Sequence, residues 1–275
     1  MSLYLTDTHC HLNLLDPSLL AEGEQTLLDH TLREGVGRIV CIGVDRDTQS
    51  EVLGWAERHA QVFATVGVHP NHVSEAEDWV WLKEVADHPK VVAIGETGLD
   101  YHYGAEHAVL QQESFRRHID LAKELNLPLV VHTREARADT LALLAHAGRR
   151  GGVMHCFTED WDTARKAMDM GFYISFSGVV SFRNADNLRD VLRRVPEDRI
   201  LLETDAPWLA PVPHRSKPNR PAWVRHVAEV VATVRSLPID RVAAITSENA
   251  ERLFGFSTLC NLGAESVGSD QFAAE

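Results

Sequence analysis

Short apolar segments rich in β-branched residues alternate with stretches of helical spacing along most of the chain, and no other feature limits the possible folds as strongly. Most of these segments are nearly continuous hydrophobic runs, which is typical of parallel strands covered by helices on both faces. The predicted strands are residues 3–8, 38–44, 62–68, 91–95, 128–131, 152–155, 172–175 and 200–203. Eight such units predict an α/β fold of the (β/α)8 TIM-barrel type, although periodicity alone also fits an open, doubly wound sheet.

The length of 275 residues suits one barrel domain, and no repeat or change of composition marks a second. We expect the domain to cover residues 1–256. Residues 257–275 are small, polar and acidic, and we expect them to form a peripheral C-terminal tail. Five prolines between residues 206 and 222 predict a long loop after the last strand.

Residues able to bind a metal ion stand at the ends of five predicted strands. His9 and His11 end the first strand, and residues two apart in an extended chain point to the same side. The full set is His9, His11, Glu96, His132, His155 and Asp205. A single histidine in such a position is more often structural. Because the carboxyl ends of barrel strands surround one mouth, however, the joint pattern predicts a metal site and favours the barrel over the open sheet.

The charge and the cysteines limit the partners and the location of the protein. A formal net charge of −13 would repel bulk polyanion, so the chain does not coat duplex DNA, and any contact with nucleic acid must be small. The four cysteines lie far apart without a C-x-x-C pair, which argues against a disulfide framework. We see no signal peptide and no apolar run of about 18 residues. We therefore expect a cytoplasmic protein without a membrane segment or an obligate protein partner.

Seven sequence blocks resemble the TatD family of metal-dependent deoxyribonucleases, within the amidohydrolase superfamily. The blocks are TDTHCH (6–11), VGVHP (66–70), IGETGLDY (94–101), VHTRE (131–135), HCF (155–157), LETDAP (202–207) and NAERLF (249–254). The resemblance covers about residues 3 to 255, and the combination of blocks is specific to this family.

The resemblance implies a distorted barrel with two divalent metal ions, Mg²⁺, Mn²⁺ or Zn²⁺. His9, His11 and Asp205 would hold one ion and His132 and His155 the other. Glu96 would bridge them, in place of the carboxylated lysine of many amidohydrolases. The resemblance also implies that His69 lines the site as a substrate-binding residue and that Glu203 is an active-site acid. Glu203 lies two residues from Asp205 and shares its side of the strand, but direct catalysis and a supporting role both remain open.

The resemblance further implies cleavage of phosphodiester bonds in DNA, with RNA as an alternative substrate, by a metal-activated water, with Asp205 as proton acceptor. The small basic content favours action on single-stranded ends, and the resemblance implies exonuclease action in the 3′ to 5′ direction. Candidate phosphate contacts are Arg134, His214, Arg215 and Lys217, unless these are simply solvated charges. Trp208 and Trp223 either stack a base or pack the loop. Arg220 stands where the family pattern leads us to expect an acid, so this loop departs from the pattern.

Two other functions fit the same residues. A small-molecule amidohydrolase or esterase would use the same metal pair on a C–N or C–O bond, since a fold does not fix a substrate. A metal-bearing but inactive binding module is less favoured, because every expected ligand is present.

Overall fold

The computed structural model describes residues 4–74, 79–147 and 150–256. Within them, eight parallel strands form one sheet in chain order. The strands are β1 (Leu5–Cys10), β2 (Val36–Cys41), β3 (Val62–Val66), β4 (Val91–Asp100), β5 (Leu129–Arg134), β6 (Gly152–Met154), β7 (Tyr173–Phe176) and β8 (Ile200–Leu202). The predicted tail, residues 257–275, lies outside the described residues.

The sheet closes on itself between the ends of β8 and β1. Cys10 forms a parallel bridge with Ala206. The Asp205 N–H donates to the His9 carbonyl at 2.9 Å, and the His11 N–H donates to the Ala206 carbonyl at 2.8 Å. Beside this seam the buried Asp7 carboxylate accepts both the backbone N–H and the hydroxyl of Thr204. The closed order confirms the predicted (β/α)8 barrel over the open sheet.

Helices follow the strands and cover the barrel. They are α1 (Glu24–Arg33), α2 (Gln49–Arg58), α3 (Val80–Ala86), α4 (Ala108–Leu125), α5 (Arg137–Leu144), α6 (Trp161–Asp169), α7 (Asp186–Arg194), α8 (Val224–Arg235) and α9 (Ile239–Phe254). Helix α4 buries Phe115, Ile119 and Ala122, whose spacing of three to four residues forms one face. No helix in the described part of the chain is long and apolar enough to cross a membrane.

Strand alternation divides the core into two layers. One layer lies between strands and helices and includes Leu129, Val131 and Met154. The other fills the barrel, with Val130, Val153 and Leu201 from β5, β6 and β8, together with Phe254 and Phe256. Side chains two residues apart on a strand share a face. The residue two positions after each of Val130, Val153 and Leu201 therefore also faces inward, nearer the mouth of the barrel.

Candidate metal centre and cleft

The barrel register brings the predicted ligands to one place. His132, Glu203 and His155 each stand two residues after an inward-facing apolar residue, so their side chains also face inward, nearer the mouth. All six residues predicted as ligands converge there, and Glu96 lies at their centre. This is the carboxyl end of the strands, where barrel active sites lie.

One oxygen of Glu96 faces the residues from the first and last strands. Glu96 Oε2 lies 3.3 Å from His9 Nε2 and 3.9 Å from His11 Nε2. Asp205 Oδ1 lies 3.6 Å and 3.4 Å from the same two nitrogens, which are themselves 3.2 Å apart. Four potential ligand atoms therefore surround one point.

The other oxygen of Glu96 faces a second set of imidazoles. Glu96 Oε1 lies 2.9 Å from His155 Nε2, 3.1 Å from His132 Nδ1 and 3.4 Å from His69 Nε2. The two carboxylate oxygens thus belong to separate ligand groups. This is the geometry expected of a bridging carboxylate.

The donor set fits divalent cations. Imidazole nitrogens and carboxylate oxygens are the usual ligands of zinc and related ions. Within the described residues, the buried Nδ1 atoms of His9 and His11 and Oε2 of Glu203 have no hydrogen-bond partner. A buried polar cluster that leaves atoms unpaired is costly unless another group completes it. A cation bound to the facing Nε2 and carboxylate atoms would offset the cost of burying those atoms, but it would not pair with the Nδ1 atoms.

The ionisation of the two carboxylates suits cation binding. Burial raises the pKa of Glu96, but the charges of His155 and His69 outweigh burial and hold this pKa well below its usual range. Burial likewise raises the pKa of Asp205, and the hydrogen bond from His11 helps to lower it overall. Burial lowers the pKa of His9, whereas at His132 and His155 burial is outweighed by the neighbouring carboxylates, which raise the pKa. A cation would therefore displace protons from His132 and His155 as it binds.

Glu203 lies behind a ligand rather than in the open cleft. Its side chain is fully buried, Oε1 accepts the Cys156 N–H at 2.7 Å, and the same oxygen lies 3.3 Å from His155 Nδ1. Among the described residues that line the cleft, Asp205 is present and Glu203 is not. Of the two roles left open by the sequence, this position favours support of His155.

The centre forms the floor of an open cleft of about 770 Å³. His69 and Arg134, both predicted to contact substrate, line it. So does Trp208, which is 51% exposed and whose ring meets that of His11 edge-on at 5.0 Å.

The three predicted contacts in the proline-rich loop, His214, Arg215 and Lys217, do not lie among the described residues that line the cleft. His214 stacks on the buried Trp223 at 4.0 Å, and its Nε2 lies 3.0 Å from Nε2 of His226. The Arg215 guanidinium packs 3.6 Å from the Phe182 ring centre. Lys217 is exposed. Trp223 therefore packs the loop.

Asp100 and Tyr103 are among the cleft residues that the sequence analysis did not predict. Asp100 contacts His132, and Tyr103, which is 65% exposed, stands at the rim with the Arg134 guanidinium 4.6 Å from its ring centre. Asp100 lies inside the IGETGLDY block, so that block held a signal that could have identified it. The rim position of Tyr103 has no comparable signal.

Comparisons with known proteins agree with the site. The model of the family described as TatD related DNase matches residues 6–255. An Escherichia coli protein named as an uncharacterized metal-dependent hydrolase, YcfH, is 46% identical over 254 residues, which are 92% of this chain and 96% of that protein. The 3'-5' ssDNA/RNA exonuclease TatD of Erwinia amylovora is 34% identical over 251 residues, which are 88% of this chain and 97% of its own.

A solved structure is similar over the same length. The crystal structure of YJJV, a TatD homologue from Escherichia coli, matches with a TM-score of 0.84 at 29% identity, covering 93% of this chain and 99% of that one. The family match, the relatives and the histidine–carboxylate centre at the mouth of the barrel agree with one another. The chain belongs to the TatD family of metal-dependent hydrolases.

Proposed function

We propose that the protein hydrolyses phosphodiester bonds at single-stranded 3′ ends of DNA or RNA, using two divalent ions. The observation that carries the proposal is the division of Glu96 between two ligand groups, because a carboxylate bridge of this kind suits a pair of neighbouring ions. Such pairs are common in enzymes that cleave phosphate esters. Mg²⁺, Mn²⁺ and Zn²⁺ are the candidate ions.

His9, His11 and Asp205 would hold one ion, His132 and His155 the other, and Glu96 both. Bound ions would polarise a water molecule and offset negative charge on the phosphate. Asp205 is the group placed to accept the proton of that water. Its side chain is 13% exposed and lines the cleft, so water and substrate can reach it, and its lowered pKa keeps it ionised at neutral pH.

The rim of the cleft suits unpaired nucleotides. Trp208 follows β8 and Tyr103 follows β4, four strands apart in an eight-stranded barrel, so the two exposed rings stand on opposite sides of the mouth. A strand that crosses the mouth could stack a base on each ring and place a phosphate above the centre between them. Arg134 would bind a neighbouring phosphate.

The overall charge supports a short contact with substrate. With a net charge of −13, the protein has little attraction for a long polyanion. The strand end is therefore the favoured point of attack. The 3′ to 5′ direction is supported by the name of the Erwinia amylovora relative, a 3'-5' ssDNA/RNA exonuclease.

A substrate panel tests the reaction class. Metal-free protein is restored with Mg²⁺, Mn²⁺ or Zn²⁺ and given bis(p-nitrophenyl) phosphate, p-nitrophenyl acetate and a p-nitroanilide. We expect the phosphodiester to be cleaved faster than the ester and the anilide with at least one ion. Hydrolysis of the ester or anilide alone would favour the small-molecule amidohydrolase or esterase instead.

A further inference from the structure

Asp100, the last residue of β4, contacts the outer nitrogen of a proposed ligand. Its Oδ2 lies 3.2 Å from His132 Nε2, while Nδ1 of the same ring lies 3.1 Å from Glu96 Oε1. The Asp100 side chain is only 2% exposed. One imidazole therefore connects a buried aspartate to the carboxylate at the centre of the site.

The Asp100 side chain is held by donors on both oxygens. Oδ1 accepts the backbone N–H groups of His102 at 3.0 Å and Tyr103 at 2.9 Å. Oδ2 accepts the Asn71 side-chain amide at 3.2 Å, in addition to its contact with His132. Every one of these partners can donate, so the site is built for a group that only accepts hydrogen bonds.

The backbone of Asp100 is fixed as well. Its N–H donates to Gln111 Oε1 at 2.9 Å, and Gln111 Nε2 donates to the carbonyls of Asp100 at 3.0 Å and Gly104 at 3.1 Å. Gln111 is fully buried on α4. The glutamine thus anchors the end of β4 to the helix behind it, which fixes the position from which Asp100 reaches His132.

His132 lies between two carboxylates, Asp100 at Nε2 and Glu96 at Nδ1, and an ionised carboxylate can only accept a hydrogen bond. If Nδ1 binds a cation at the centre, the neutral ring must hold its hydrogen on Nε2, where Asp100 accepts it. We propose that Asp100 is a positioning residue that sets the tautomer and orientation of His132 for metal binding. The proposal rests on the proposed role of His132 as a ligand. Partners of this kind commonly change metal affinity about 10–100-fold.

Asp100→Asn tests this proposal most directly, because asparagine has nearly the shape of aspartate but replaces one hydrogen-bond acceptor with a donor. The two backbone N–H groups at Oδ1 require the amide oxygen on that side. The new NH₂ group would then face His132 Nε2 and favour the ring that carries its hydrogen on Nδ1, directed at the centre. The variant should therefore weaken one metal site and leave the other intact.

Titration of metal-free protein with Co²⁺, followed by its visible absorption, measures both sites. We expect two Co²⁺ per native chain, and in D100N one site weakened about 10–100-fold with the other unchanged. Asp45→Asn is the matched control, since Asp45 Oδ2 pairs with His72 Nδ1 at 2.8 Å outside the ligand set. D45N should bind Co²⁺ like the native protein. The melting temperature of metal-free D100N shows whether its fold is intact.

Two further measurements separate the possible failures. His132→Ala tests the ligand itself: if it keeps both Co²⁺ ions, the proposed centre is wrong and the role of Asp100 falls with it. If H132A loses one ion but D100N binds both with native affinity, only the role of Asp100 is refuted. Nitrogen-15 NMR of native protein loaded with Zn²⁺ needs no variant, and we expect the His132 proton on Nε2. A proton on Nδ1 would overturn the proposal.

Discussion

At the scale of single residues, Glu96 connects the two groups of imidazoles in the site. Its two oxygens lie 3.3 Å from His9 Nε2 and 2.9 Å from His155 Nε2, so one side chain joins proposed ligands from different parts of the barrel. The pairing of acids with imidazoles continues outward, with Glu203 beside His155 and Asp100 beside His132. Each carboxylate behind a histidine limits the orientation of that ring.

Replacing Asp205 by asparagine tests the proposed proton acceptor. Asp205 has a left-handed φ of 56°, which asparagine also adopts readily, so the variant should keep its fold. Loss of both a charged ligand and a general base should lower kcat on bis(p-nitrophenyl) phosphate by about a thousandfold or more. Asp162→Asn, which removes an exposed charge on α6, is the control and should retain native kcat. An Asp205→Asn enzyme within tenfold of native activity would contradict the assignment.

At the scale of elements, β4 explains how two acids reach the cleft. The strand was predicted to end at residue 95, but it continues to Asp100 and carries both Glu96 and Asp100. Gly95 and Gly98 have φ of 138°, and the pairing with β5 shifts between Ile94 and Thr97. These glycines permit an irregular strand that a pattern based on regular alternation cannot extend.

Gly98→Ala should therefore destabilise the barrel beside the centre. Alanine at this position would have a strained φ. Its Cβ would lie closer to the backbone carbonyl oxygen of His132 than van der Waals contact allows. We expect a loss of roughly 3 kcal/mol, which lowers Tm by about 5–10 °C in a chain of this size. Gly54→Ala in α2 is the control, because a Cβ there meets only the flexible end of Arg58 and Tm should change little. Equal Tm values for both variants would contradict this account of β4.

Helix α4 contributes a buried histidine to the wall behind the cleft. His118 Nε2 accepts the Val68 N–H at 3.0 Å, and its Nδ1–H donates to the Ser114 carbonyl at 2.8 Å. These bonds require the neutral ring and fix the backbone next to His69. Burial lowers the pKa of His118 to about 4, from its usual 6.5.

This histidine should make stability depend on pH. Because its pKa is lower in the folded protein, the unfolded chain takes up the proton first as pH falls below 6.5, and stability is lost until about pH 4. The loss should reach about 2 kcal/mol by pH 5. Urea unfolding of the metal-free native protein and of His118→Gln measures this loss. The difference in free energy of unfolding between the two proteins should decrease by about 2 kcal/mol between pH 7.5 and pH 5. An advantage independent of pH would contradict the prediction.

At the scale of the whole molecule, the sequence predicted the barrel, which the structure confirms, and the meeting of the six candidate ligands at its mouth, because both depend on strand register. Val130 and His132, or Val153 and His155, share a face in any regular strand, so their convergence follows from periodicity. Contacts between loops have no such rule. The stacking of His214 on Trp223 and the meeting of Tyr103 with Arg134 depend on where separate loops fold. Sequence reasoning therefore predicted that His214 contacts substrate, whereas in the structure it stacks on Trp223. It did not predict that Tyr103 lines the cleft.

The central claim is that this centre removes nucleotides from single-stranded 3′ ends in a metal-dependent reaction. The most direct measurement is a time course of 5′-labelled single strands and blunt duplexes, with protein first freed of metal and then restored with Mg²⁺, Mn²⁺ or Zn²⁺. We predict no cleavage without metal. With a suitable ion, we predict stepwise shortening of single strands from the 3′ end and much slower loss from blunt duplex. Cleavage that persists without metal, or equal internal cutting of duplex and single strands, would contradict the account.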